Sequence, residues 1–350
     1  MMDYQRLKQI ANAPNEYEVW SDYLNDYVID LAWSNDAKKI IAGTASGKVT
    51  LYDAETGKLL NEISAHQNGL MSIAVSPSKN IFVTTGQDAT INMWNIDTLE
   101  LLNNIASNSQ WVNFVEWSKD GKYFTSSEGK VVRVFNEAGD IINTFDQHES
   151  TVCGIQWKQD SYVFATACYG GVRLFEVGRE KDINFFEWSN SMLSLSWSPD
   201  GKFIGCGTQD SRVHFFPVPY ENGSDFEMSG YNGKVKLMDW TTDSKYFLTN
   251  CWNEIVIWKF AGKSPQGQVP ISINTHVERI TQVSFQKNSA CIASGDEMGF
   301  VFFHDTEKPS IKNIGTCLSQ EISKLCWSPD GLNLAASTAD GKLVIMRTPF

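Results

Sequence analysis

The chain has 350 residues, 42% of them hydrophobic and 20% charged, with 41 Asp+Glu against 29 Lys+Arg and a formal net charge of −12. A length of this order buries roughly 75% of the surface that the unfolded chain exposes, and the composition, with no low-complexity tract, excludes a disordered polypeptide. The acidic balance repels phosphate backbones and anionic headgroups, so nucleic acid and membrane surfaces are poor partners, although a local basic patch is still allowed.

The start, "MMDYQRLKQIANAPNEYEVW", mixes charges into every window and offers no apolar signal core. Within it "YQRLKQIAN" is predicted as a short helix in an N-terminal extension over residues 1–15, ahead of a single domain over 16–350. "EYEVWS" at 16–21 resembles "NFFEWS" at 184–189, a segment that reads as a fourth strand. From residue 28 onward one pattern recurs, as in "VIDLAWSNDAKKIIAGTASGKVTLYDAETGKLL", "SMLSLSWSPDGKFIGCGTQDSRVHFFPV" and "EISKLCWSPDGLNLAASTADGKLVIMR". Each is an alternating apolar run, a Pro/Asp/Gly turn, a second run, another turn and a third run, which predicts a meander of short strands.

A bulky residue near the end of each first strand acts as a ruler: Trp33, Val75, Trp117, Trp157, Trp197, Trp240, Phe285 and Trp327, spaced by 40 to 45 residues. A second ruler lies in the third strands, at Tyr52, Trp94, Phe135, Phe175, Phe216, Trp258, His304 and Met346. Eight units register on both. Such a period, with several strands per unit, predicts an all-β fold, a closed eight-bladed β-propeller of four-stranded blades, with seven as the second count should one unit prove degenerate. The last unit stops at "VIMRTPF" without a fourth strand, so the N-terminal strand is expected to complete the C-terminal blade and remove the unpaired edge.

His66, Thr84 and Asp88 place an imidazole, a hydroxyl and a carboxylate close together in sequence, as a hydrolase would. His66, His148 and His276, however, each stand nine residues before a ruler position, and Thr84 has counterparts at Thr125, Thr166, Thr249 and Ser294. A catalytic triad needs a single copy with an exposed nucleophile, so a histidine recurring with the period belongs to the repeat. The motifs "AHQNGL", "TTGQD" and "MWN" resemble the glycine-histidine, Asp-turn and tryptophan-aspartate signatures of the WD-repeat β-propeller family. That resemblance covers residues 16 to 350 and implies a structural tetrad in which Asp88 orients His66, His66 bonds Thr84, and Thr84 meets the Trp94 indole. Only unit 2 carries the complete set by alignment, since Gly129 and Gly170 replace the acid, Trp188 and Tyr231 the histidine, and Cys206 the hydroxyl.

No enzyme, metal site or cofactor is expected. "GTASGKV" at 43–49 has too few residues between its glycines for a phosphate loop, and Val49 stands where a magnesium ligand is needed. "GCGTQD" at 205–210 lacks the third glycine of a dinucleotide fingerprint. The seven cysteines are widely and irregularly spaced with no CxxC, which points to reduced thiols and a cytoplasmic protein.

Function on such a scaffold belongs to the loops at one end of the ring. Read unit by unit, these loops offer Tyr27, Trp111, Tyr169, Lys234, Trp252 and Arg279 as candidate partner-binding residues, with Trp111 and Trp252 as anchors. The expected function is a non-catalytic scaffold that binds another protein or a peptide, monomeric by itself, with no nucleic acid and no membrane partner. Two alternatives are a structural subunit of a larger transport or regulatory complex and an enzyme with its site in the central channel.

Overall fold

The computed structural model describes residues 4–107, 111–221, 223–260, 264–307 and 314–349. Burial follows strand order within a unit. In unit 1 the first strand, Val28–Trp33, is half-buried; the second and third, Lys39–Thr44 and Lys48–Asp53, are buried on both faces; and the fourth, Leu59–Ser64, is largely exposed. A sheet covered by a neighbour on each side demands this gradient, with apolar residues at successive positions of the middle strands rather than at alternate ones.

The core therefore lies between sheets. Ile41, Val49 and Leu51 of unit 1 pack on Ile73, Phe82 and Trp94 of unit 2, and Val132 and Val134 of unit 3 pack on Trp157, Phe164 and Phe175 of unit 4. Each of these large side chains gains roughly 1.5–3 kcal/mol from burial. Trp33, Trp117, Trp157 and Trp327 add a bond to the packing, donating Nε1–H to the first-strand carbonyls of Cys326, Ala74, Glu116 and Ser284 at 3.0, 3.2, 3.1 and 3.3 Å. These four ruler tryptophans are thus fasteners between successive units.

The N-terminal strand, Glu18–Tyr23, pairs antiparallel with Lys342–Arg347, giving the final sheet its fourth strand. From that strand Trp20 reaches unit 1, donating Nε1–H to Ala54 O at 2.8 Å with its ring 5.5 Å from that of Tyr52. The preceding segment forms the helix Tyr4–Asn12, whose Leu7 packs on Phe300 and Phe302 of unit 7.

The sheet count differs from the eight separate four-stranded blades expected from the rulers. The strands gather into seven sheets, matching the second count: six have four strands and one has six. Units 4 and 5 share the large sheet because Val163–Glu176 and Asn184–Trp197 each run unbroken for 14 residues. Val163–Glu176 pairs through 164–167 with Gly154–Trp157 and through 169–174 with Asn184–Trp197, and the latter then pairs through 192–197 with Phe203–Thr208.

Candidate functional site

Two constellations were expected, a buried tetrad and an exposed loop face. In unit 2 the Trp94 Nε1–H donates to Thr84 Oγ1 at 2.9 Å, Thr84 Oγ1–H donates to His66 Nε2 at 2.8 Å, and His66 Nδ1–H donates to Asp88 Oδ1 at 3.0 Å. Burial holds the imidazole below its ordinary pKa and thus neutral, which the acceptor role of Nε2 requires. Burial also raises the Asp88 carboxyl, but hydrogen bonds from Thr90, His66 and Gln67 outweigh it and leave the pKa lowered. Gly86 makes room for the ring: a Cβ there would lie 2.4 Å from His66 Nδ1. With His66 only 4% exposed, this network offers no substrate an approach, and its work is to satisfy polar groups between sheets.

Unit 7 holds a second complete set, which alignment to Asp88 misses. His304 Nε2–H donates to Ser294 Oγ at 3.1 Å, Ser294 Oγ–H to His276 Nε2 at 2.7 Å, and His276 Nδ1–H to Asp296 Oδ2 at 2.7 Å. Here the acid stands at the position of Gly86, two residues before the expected one, and an imidazole replaces the indole. Unit 4 substitutes a carbonyl for the acid: His148 Nδ1–H donates to Lys130 O at 2.9 Å and Thr166 Oγ1–H to His148 Nε2 at 2.8 Å. Burial pushes the His148 pKa down to about 4. In unit 6, Trp258 Nε1–H donates to the Tyr231 hydroxyl at 3.0 Å.

The loop residues fall into two groups. Tyr27, Lys234 and Arg279 converge, lining a cavity of about 270 Å³ with Lys236, Gln282 and Glu321. The cavity is bounded by the starts of the first strands of units 6, 7 and 8 and by the loop before unit 1, so it opens at the centre of the ring. Arg279 is held by Glu297, its Nε–H donating to Oε1 at 2.6 Å. Glu321 and burial raise the Tyr27 hydroxyl pKa, burial more. Beneath, Lys324 Nζ pairs with Asp30 Oδ1 at 2.8 Å. Lys236, four residues before its ruler tryptophan, is the member that reading a single position per unit passed over.

Trp111, Tyr169 and Trp252 do not line this cavity and are 53%, 54% and 52% exposed. Trp252 adjoins it, because the Ile280 N–H donates to Trp252 O at 2.9 Å and Ile280 is part of the cavity wall. Trp252 also has φ of 57°, at the first central position of the two-residue turn between Tyr246–Cys251 and Glu254–Lys259. Glycine ordinarily takes that position, and a side chain there costs about 1–2 kcal/mol.

The first-strand carboxylates are occupied with structure. Asp239 Oδ2 accepts from Phe285 N–H at 2.7 Å, and Glu116 accepts a backbone bond from Trp157. Among the described residues no group of three or more His, Cys, Asp or Glu side chains is placed to hold a metal ion.

A ring of antiparallel sheets, six of four strands and one of six, with buried His–Thr/Ser networks in units 2, 4 and 7, defines a repeat propeller. The WD domain, G-beta repeat model matches residues 139–176, 181–216 and 311–345, and the chain belongs to the WD-repeat β-propeller family. A model for the eukaryotic translation initiation factor eIF2A matches residues 15–137. Among curated relatives, the apoptotic protease-activating factor 1 of Mus musculus is 23% identical over 314 residues, 88% of this chain and 24% of that protein. Telomerase protein component 1 of Mus musculus is 22% identical over 287 residues, 78% of this chain and 10% of that protein. The WD repeat-containing protein 91 homolog of Dictyostelium discoideum is 21% identical over 252 residues, 64% of this chain and 31% of that protein. The chain thus spans between a tenth and a third of the length of these relatives. A computationally designed protein, Ika8, has the same fold with a TM-score of 0.81 at 18% identity, covering 95% of this chain and 100% of that one.

Proposed function

We propose that this protein is a non-catalytic scaffold that captures an extended peptide or protein segment on the face bearing Trp111, Tyr169 and Trp252, around the cavity of Tyr27, Lys234 and Arg279. The observation that carries this reading is Trp252: a half-exposed indole fixed in a left-handed turn where glycine would be unstrained. Exposed aromatics held rigidly are what hot spots are made of, because they bury much area at little entropic cost. The wide cysteine spacing supports a reducing, cytoplasmic setting, and the acidic charge supports a protein partner over nucleic acid or membrane.

The same reading treats the six-stranded sheet as two blades, making eight. Its support is Val163–Glu176, where the rings of Phe164 and Phe175 lie 5.5 Å apart, whereas a straight strand would separate them by about 36 Å. The chain doubles back at Gly170 and Gly171, with φ of 97° and 134°. An experimental density map with eight radial sheets supports this count, and one with seven refutes it.

The function is tested by Trp111→Ala with Trp252→Ala. The double variant should fold with an unchanged far-ultraviolet dichroism spectrum and lose the proteins that the parent chain captures from cytoplasmic extract. Unchanged capture removes this face from consideration.

A further inference from the structure

Resting on that reading of the face, we infer that the central cavity takes the anionic side chain of the captured segment, a carboxylate or phosphoryl group directed toward units 6 and 7. The chain as a whole is acidic, at −12. Against that background Lys234 and Lys236 enter one wall of the cavity from a single short loop, both exposed. Among the described residues neither ammonium forms an ion pair, whereas every other cation of this wall or beneath it has its acid: Arg279 has Glu297, and Lys324 has Asp30. Two unpaired ammonium groups in a concave site focus the field there and attract an anion against the net charge of the molecule.

The opposite wall has the other sign. Glu321 and the Tyr27 hydroxyl belong to units 8 and 1, and Gln282 lies between the walls with its Nε2–H donated to Ser323 O at 3.0 Å. A segment lying across the cavity would place its acidic side chain on the lysine wall and present N–H groups or a hydroxyl to Glu321. The cavity, at about 270 Å³, holds one or two side chains rather than a folded element. Trp252, at its edge through the Ile280 bond, covers the flanking residue of such a segment. Polarity across the site fixes the direction of the segment as well as its charge.

The test is fluorescence anisotropy of the full chain with three labelled peptides of one length, alternating glycine with glutamate, with phosphoserine or with lysine. The glutamate and phosphoserine peptides should bind, weaken several-fold between 50 and 300 mM salt, and weaken about tenfold or more in Lys234→Glu with Lys236→Glu. The lysine peptide should show no binding. Tighter binding of one anionic peptide than of the other identifies the group the site takes. Glu321→Gln should strengthen binding of both anionic peptides, and Lys234→Gln with Lys236→Gln should give an intermediate loss if charge reversal perturbs folding. No binding of either anionic peptide, or binding indifferent to the lysines, overturns the proposal. Should that happen while the Trp111/Trp252 double variant still loses its captured proteins, the face stands and only the anion assignment falls; if capture also persists, both fall.

Discussion

Units 1 to 3 and units 5 to 7 share one plan and differ in how their outer strands are fastened. The third residue of the outer strand is Asn61, Asn103 or Asn143 in the first group, and each donates Nδ2–H to a carbonyl of the next unit, Thr98, Ala138 or Arg179, at 2.9, 3.1 and 3.0 Å. In the second group the residue paired at the same register is Phe226, Ile271 or Ile314, none of which carries a side-chain amide. The connections into the outer strands are short in the first group, 54–58, 96–100 and 137–140, and longer in the second, 218–225, 260–270 and 306–313. Among the described residues Trp197 Nε1 and Trp240 Nε1 have no hydrogen-bond partner, while their counterparts Trp117 and Trp157 do. The cavity with its lysines lies on the less fastened side, on units 6, 7 and 8 and the loop of unit 1. Binding loops drawn from the less stable part of a structure can adjust to a partner without cost to the rest.

The harshest way to break this comparison is to remove residues 1–21. The deletion takes from the final sheet most of its fourth strand, leaves Lys342–Arg347 as an open edge, and severs the Trp20 bond to unit 1. Stability should fall by more than about 4 kcal/mol, a size that single substitutions seldom reach, or the protein should aggregate on size exclusion. Hydrogen exchange of the residual soluble fraction should accelerate first in units 5 to 8. A truncated chain that stays monomeric with an unchanged melting temperature would show that the ring does not depend on its seam; equal acceleration all round would show that the two groups of units are equally fastened.

How much of this was legible in the sequence follows from what recurs. The period and the unit 2 tetrad were legible because each rests on a residue type repeated at a fixed interval, His66 with His148 and His276 above all, and the closure by an N-terminal strand because "EYEVWS" resembles the fourth-strand segment "NFFEWS". The sharing of one sheet by units 4 and 5 was not. Gly170 and Gly171 reverse the chain without the polar turn residues that mark the other hairpins, so strand pairing continues through the bend. Asp296 escaped because it reaches the imidazole from inside its strand, where unit 2 has a glycine. Of the face, the residue types were readable but not their grouping: loop position per unit says nothing of distance from the ring's centre, and so Tyr27, Lys234 and Arg279 share a cavity while Trp111 and Tyr169 stand apart.

A smaller effect sharpens the contrast within the core. Thr84 and Thr249 occupy the same place in units 2 and 6, yet Thr84 Oγ1 accepts from Trp94 and donates to His66, whereas Thr249 Oγ1 is buried with no partner among the described residues. Thr84→Val strands an imidazole nitrogen and an indole N–H and should cost about 2–4 kcal/mol. Thr249→Val removes a hydroxyl that already lacks a partner and should change stability by less than about 1 kcal/mol, in either direction. Urea unfolding followed by tryptophan fluorescence measures both, and equal losses would show that the hydroxyl position matters for its shape and not for its bonds.

The smallest expected effects belong to the rim itself. Asn61→Ala, Asn103→Ala and Asn143→Ala each delete the Nδ2–H bond to the next unit, worth about 0.5–1.5 kcal/mol apiece, and the first and last also remove the Oδ1 acceptors of Glu62 N–H and Gly178 N–H at 2.9 and 2.8 Å. In the triple variant the losses should add, because the three bonds share no partner, and amide exchange of Leu59–Ser64, Leu101–Ala106 and Ile141–Phe145 should rise toward that of Phe226–Met228 and Ile271–Ile273. Capture of the partner should be untouched, since none of the three residues lines the central cavity. Exchange that remains slower in the altered strands than in those of units 5 and 6 would trace the difference to the shorter connections, with the amides contributing little.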